Sequence, residues 1–263
     1  MCPGMSRLGR KLAAIAASAA RSFMPAAASG PSLSRPELRL IEGVAVTLRE
    51  RLAAIEGFSE FLTCGNGAET ALASRHILES SGELNRFLTD LQDFARHEQG
   101  RLSLVQGEAD AAELVEAALW ACRDTAERAD ITILAKLAEG LELRCDPTRI
   151  RGAIANIVLW LADLAPAGSI ILLRLLRTPQ GGAAVAVTGM ADAPPEGDVF
   201  APRTEAGRLT GLALPVAKRI ALLHSGDLTV EQWAGGVITV YLVLPPARVI
   251  ALRHAEPCER YAA

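Results

Sequence analysis

Two long helix-forming runs, separated by a sharp breaker, most restrict the folds open to this chain. From Glu37 to about Thr63 there is no proline, and Leu38, Ile41, Ala45, Leu48, Leu52, Ile55, Ser59 and Leu62 recur at three- and four-residue steps. That spacing predicts a helix with one mostly apolar stripe. "CGNG" (Cys64 to Gly67) interrupts it, and a second run sets Ile77, Leu84, Leu88, Leu91 and Ala95 on one face before Gly100. Each run, ~25 residues long, would span roughly 40 Å as a helix. Two such helices around a short turn cannot bury both faces alone. The expected remedy is a homodimer, a four-helix bundle with its seam along Leu48, Leu52, Ile55, Leu84, Leu88 and Leu91. Packing of the hairpin against the rest of its own chain is the other solution.

Beyond Gly100 the periodicity changes. Ala111 to Ala129 reads as a helix, "ITILAKL" (Ile131 to Leu137) as a strand, and Asp146-Pro147 as the start of another helix. "SIILLRLLR" and "AAVAVTG" are strand-like around a Pro-Gln-Gly-Gly turn. Ala193 to Arg208 reads as a loop, Leu212 to Ser225 as a helix, and "DLTVEQWAGGVITVYLVLP" as a closing hairpin of two strands. Strands interleaved with helices predict a two-layer α/β sandwich, with helices on one face of a mixed sheet. The fold class expected is therefore α+β. Residues 1–34 should form a tail, 35–105 the dimerising hairpin, 106–248 the α/β domain and 249–263 a second tail.

Bulk properties exclude several classes. Net charge is −3 and the basic residues are scattered, so no footprint for nucleic acid is visible. The five cysteines lack metal-ligand spacing and suit reduced thiols in a cytoplasmic protein. No window approaches the ~20 apolar residues of a membrane span. The N-terminal "SRLGRKLAAIAASAARSFMPAAASG" has the basic start of a signal peptide, but its run is mostly alanine and Arg21 interrupts it.

Five segments, taken in order, give the chain a family likeness. "TLRERLAAIEGFSEFL" (Thr47 to Leu62), "LESSGELNRFLTDLQDFARHEQGRLSL" (Leu78 to Leu104), "DPTRIRGAIANIV" (Asp146 to Val158), "TGLALPVAKRIALLHSGDLTV" (Thr210 to Val230) and "GGVITVYLVLP" each resemble a sensor histidine kinase segment in the same order and spacing. The resemblance covers about four-fifths of the chain, from Glu37 to Pro245. It implies a phosphoacceptor-type hairpin followed by a histidine-kinase ATPase-type sandwich. The chemistry of that family needs particular residues, and this sequence departs from most of them. The phosphoacceptor histidine falls on Val46, which has no nucleophile, and the usual proline five residues on is Arg51. In the ATP motif Asn156 matches the first asparagine, while the metal-binding one falls on Trp160 and the lysine on Asp163. The adenine-accepting aspartate falls on Val187, although Gly189 persists. In the phosphate-cradling glycine motif Leu209 and Ala213 replace glycines, and only Thr210 and Gly211 remain.

Together these changes remove the groups that position and stabilise phosphoryl transfer. An indole at the metal position suggests a pocket filled from within, with Trp160 facing Val187 and Met190 as adaptable filler. Of His76, His97, His224 and His254, none stands at an acceptor position; His224 reads as local packing, and Lys218-Arg219 as a solvated face. What the resemblance implies is a histidine-kinase-like protein of two-component signalling that has lost autophosphorylation and ATP binding. It would be a dimer that binds a response-regulator receiver or an active histidine kinase, needing neither cofactor nor metal. The alternative is a divergent but active kinase or receiver phosphatase, which would require Mg·ATP. A phosphotransfer protein is a third class, with the same objection at Val46.

Overall fold

The hairpin forms where the breaker predicts it. In the computed structural model, which describes residues 35–64, 67–98, 103–193, 195–205 and 208–252, helix α1 spans Arg35–Cys64 and α2 spans Gly67–Glu98. Phe58 of α1 stacks on His76 of α2 with ring centroids 4.5 Å apart, so His76 helps join the two helices. The described residues from Leu40 onward hold together as one compact unit; of Met1–Arg39, only the opening turn of α1 is described.

After the hairpin come β1 (Gly107–Asp110), α3 (Ala111–Arg128), β2 (Thr132–Lys136), β3 (Leu141–Cys145) and α4 (Pro147–Leu164). They are followed by β4 (Ile170–Arg177), β5 (Ala183–Met190), β6 (Arg203–Glu205), β7 (Arg208–Thr210), α5 (Ala213–Leu223), β8 (Asp227–Gln232), β9 (Val237–Leu244) and β10 (Val249–Leu252). The main sheet has the order β2-β4-β5-β9-β8, with β2 parallel to β4 and the other pairs antiparallel. Three strands that the sequence reading did not resolve, β1, β3 and β10, make a second antiparallel sheet. Strand β10 lies where a C-terminal tail was expected. The stretch read as a loop, Ala193 to Arg208, contains β6, which pairs with β7 in a small hairpin.

Helices α3, α4 and α5 lie on one face of the main sheet. Ile150, Ile154, Ile157, Val158 and Leu161 of α4 are buried against Ile171, Leu173, Val187 and Leu242 in a single core cluster. A Cβ at Gly189 would make ordinary van der Waals contact with Ile171 Cγ1 at 3.4 Å and Leu161 Cδ2 at 3.8 Å, so this glycine lies on the helix-facing side of β5.

The helix termini are tied at one buried junction. Asp146 caps α4 by accepting from Arg149 N at 3.2 Å, and its other oxygen accepts from Val105 N at 2.9 Å. The Asp146 N–H donates to His224 Nε2 at 2.9 Å, and His224 Nδ1 donates to the Ile220 carbonyl at 2.7 Å. His224 is fully buried, as the packing reading expected. Lys218, by contrast, does not lie free on a solvated face. It pairs with Asp227, donates to Leu228 O at 2.7 Å and sits 5.0 Å from the Phe200 ring centroid. Burial lowers the His224 pKa below its ordinary 6.5, ahead of an opposing backbone hydrogen bond. A base with a depressed folded value is stabilising above the unfolded value, and this is lost as pH falls below about 6.5. We expect His224→Ala to cost about 1–3 kcal/mol at pH 7, because it strands the Asp146 N–H. It should also remove part of the acid-side loss, measured as melting temperature between pH 5 and 8.

Candidate functional site

A cleft of about 330 Å³ opens between the hairpin and the α/β layer. The hairpin contributes Arg51, Glu83, Arg86, Phe87 and Asp90; the facing wall is Thr125, Asn156, Leu159, Trp160, Asp163 and Gly211 to Ala213. Helical spacing explains both walls. Residues 156, 159, 160 and 163 fall on one side of α4, opposite the buried stripe, and residues 83, 86, 87 and 90 fall on one side of α2. Several positions expected in a nucleotide pocket are thus brought together: Asn156, Trp160, Asp163, Gly211 and Ala213. Gly211 has φ +74, a left-handed conformation that favours glycine immediately before α5. Leu209 and Thr210 follow β6 in the short β7 strand.

The expectation of a pocket filled by Trp160 against Val187 is not met. Trp160 is half-buried in the cleft wall, and the cleft remains open. Val187 is fully buried in the core and does not line it. Gly189 is likewise in the core. Met190 is 48% exposed and points to the opposite side of the sheet from Val187, so it cannot act as filler. Strand alternation decides this: neighbouring residues of β5 face opposite ways.

What occupies the mouth of the cleft instead is a set of polar contacts from α2. Asn156, 7% exposed, donates Nδ2–H to Asp90 Oδ1 at 3.0 Å. Arg149 pairs with Asp93, and its Nε lies 3.3 Å from Asp146 Oδ2. Glu83 takes Arg51 Nη1 at 2.6 Å from α1 and Arg128 Nη2 at 3.1 Å from α3. Arg219, expected on a solvated face, lies over the Phe94 ring at 4.1 Å. Val44, Phe87 and Leu91 pack partly against the α/β core. The hairpin therefore does pack on its own chain, and Leu91 belongs in part to that contact. Sequence reasoning noted Arg51 only as a lost proline and passed over Glu83, Arg86, Asp90, Asp93 and Arg149. The acidic positions 79, 83, 90 and 93 were a usable signal, since they share one side of α2.

The electrostatics follow from burial. Desolvation, reinforced by Asp93 and opposed by the Asn156 hydrogen bond and Arg86, pushes Asp90 from 3.8 up to about 6. Asp163 is also raised, by burial first and then by Glu83. Cys122 and Cys145 are buried and their thiols are pushed up to about 11, so neither is a nucleophile near neutral pH. Val46 is half-buried on α1 and offers no atom for phosphoryl attachment. Among the described residues, no cluster of His, Cys, Asp and Glu is arranged to hold a metal ion.

Comparison with known proteins places this geometry. No family model matches the chain. It is 28% identical over 233 residues to the histidine protein kinase DivJ of Caulobacter vibrioides, an alignment covering 81% of this chain. The chain is thus similar in sequence to a histidine protein kinase. A second relative, the non-motile and phage-resistance protein of the same species, is 24% identical over 271 aligned positions covering 96% of this chain. The match spans only 38% and 31% of those two longer proteins. Among solved structures the kinase-like fold recurs in Acinetobacter baumannii histidine kinase AdeS, with a TM-score of 0.56 at 19% identity over 75% of this chain and 96% of that one. It recurs too in histidine kinase ThkA, crystallised with the response regulator protein TrrA, with a TM-score of 0.51 at 20% identity. That alignment covers 77% of this chain and 60% of ThkA. The expected helical hairpin plus ATPase-type sandwich is the fold observed.

Asp90 makes the cleft wall sensitive to pH. Its folded value lies above the unfolded one, so the native state holds the proton more tightly, and stability falls as pH rises through about 6. This runs opposite to the His224 effect. Asp90→Asn keeps an acceptor for Asn156 and removes the buried charge. We expect it to raise stability at pH 8 by on the order of 2 kcal/mol and to flatten the change between pH 5 and 7. Chemical denaturation at pH 5, 7 and 8 reads both effects.

Proposed function

We propose that this histidine-kinase-like chain has given up autophosphorylation and ATP binding. In this reading it is a cytoplasmic dimer that acts by binding a response-regulator receiver or an active histidine kinase. The observation that carries the reading is the Asp90–Asn156 hydrogen bond. The asparagine that matches the family's ATP motif is already committed to a side chain of its own hairpin. Val46 at the acceptor position and Trp160 at the metal position support it from the sequence. The ThkA structure contains a bound response regulator, which supports a receiver as one class of partner. A divergent, active kinase or receiver phosphatase remains the second reading, favoured by the open cleft and by the left-handed Gly211 at its α5 end.

Calorimetry with Mg·ATP decides between them. We expect no saturable heat and no rise in melting temperature, since a ligand of the native state would stabilise it. Sub-millimolar affinity competed by ADP would put the second reading first. A pulldown with purified receiver domains then tests the partner class.

The dimer has its own support in what the hairpin leaves uncovered. Leu52, Phe61, Leu72 and Leu78 are 47%, 58%, 56% and 73% exposed, while Leu48, Ile55, Leu84 and Leu88 are only half-buried. Apolar residues grouped in this way commonly mark an interface. We expect light scattering to give a dimer at about 10–50 µM, and Leu52→Glu to give a monomer by burying an unpaired charge in the seam. A monomeric parent would remove this part of the proposal.

A further inference from the structure

The main sheet has a second face, turned away from α3, α4 and α5, and its character is unusual for a surface. Alternation along β4 sends Ile171, Leu173 and Leu175 into the core and Ile170, Leu172, Arg174 and Leu176 outward. Parallel pairing sets Leu134 beside Leu172 and Lys136 beside Arg174. Antiparallel pairing sets Thr188 beside Leu172 and Ala186 beside Arg174. Met190, two residues from Thr188, points the same way. Leu134, Ile170, Leu172, Leu176 and Met190 are 48%, 54%, 36%, 37% and 48% exposed. An antiparallel sheet with one wet face ordinarily alternates apolar-in and polar-out. This one is apolar on both faces near β2 and β4.

One cation sits inside that patch. Arg174 lies between Leu172 and Leu176, and its Nε–H is buried with no hydrogen-bond partner among the described residues. A buried donor left unmatched is costly, and native structures rarely keep one without a use. Lys136 stands next to it, and neither forms an ion pair among the described residues. We propose that this sheet face is a docking surface for an acidic amphipathic helix of a partner protein. Its apolar side chains would cover Leu134, Ile170, Leu172 and Leu176, and one carboxylate would accept from Arg174.

Charge selects that occupant over the others. A second copy docking the same face would bring Arg174 toward its own equivalent. Residues 1–34 of this chain carry Arg7, Arg10, Lys11 and Arg21 and no acidic residue, so they are repelled. An anionic lipid surface prefers cations at the rim of an inserted apolar patch, whereas Arg174 lies within it. The surface is on the far side of the sheet from the helix-side cleft, so the proposal does not depend on loss of nucleotide binding.

The test uses the full chain and a fluorescein-labelled synthetic amphipathic helix, leucine-faced with one central glutamate, alongside the same peptide with lysine at that position. Fluorescence anisotropy should show saturable binding of the glutamate peptide and at least tenfold weaker binding of the lysine peptide. Arg174→Glu should reverse that preference, and Leu172→Ser should weaken both. Both positions face outward, and unchanged melting curves would establish that the variants fold. Equal binding of the two peptides, no binding of either, or an Arg174→Glu variant that behaves like the parent would each overturn the proposal. Arg174-dependent binding to phosphatidylglycerol vesicles that exceeds peptide binding would assign the face to a membrane instead. Self-association abolished by Leu172→Ser would assign it to a second copy.

Discussion

The buried junction around Asp146 is the contact on which the arrangement of this chain depends. Its carboxylate caps α4 and holds the strand entry at Val105, its amide is held by His224 at the end of α5, and Arg248 Nε donates to the His224 carbonyl at 3.0 Å. Four segments distant in sequence are thereby fixed at one point. Arg149, one turn along α4, then connects that point to Asp93 of the hairpin. Buried polar groups of this kind stabilise only while every partner is present. The orientation of α4 follows from this junction, and the cleft wall follows from α4.

That orientation turns the side of α4 bearing the kinase-like motif toward α2. In an active kinase of this fold the same side would have to serve a nucleotide. Here its asparagine is held by a carboxylate whose pKa burial raises to about 6, and the neighbouring positions carry an indole and a second raised carboxylate. Burial raises both Asp90 and Asp163, and Arg86 opposes the shift at each. The polar lining of the cleft is thus a property of both walls together.

The hairpin, the order of helices and strands, and the sheet-closing β8–β9 pair were legible because each carries a long periodic signal. β1, β3 and β10 were not, because strands of four or five residues gain their identity only from partners far along the chain. The buried side of α4 could be read from its apolar spacing, and its polar side could be read as altered. That Asn156 would meet Asp90 could not be read, since the two lie 66 positions apart and nothing local states which surfaces meet. The filled-pocket expectation failed for a related reason. Residue chemistry suggested which groups were missing from the site, but strand alternation, not chemistry, decides that Val187 and Met190 point to opposite sides.

Glu83 carries one further implication. It is gripped by α1 through Arg51 and by α3 through Arg128, so one side chain touches three helices at once. A carboxylate held from both sides fixes the spacing of α1 and α3 about α2 at that level of the hairpin. The hairpin and the α/β layer are thus joined at this side chain by groups of the chain itself.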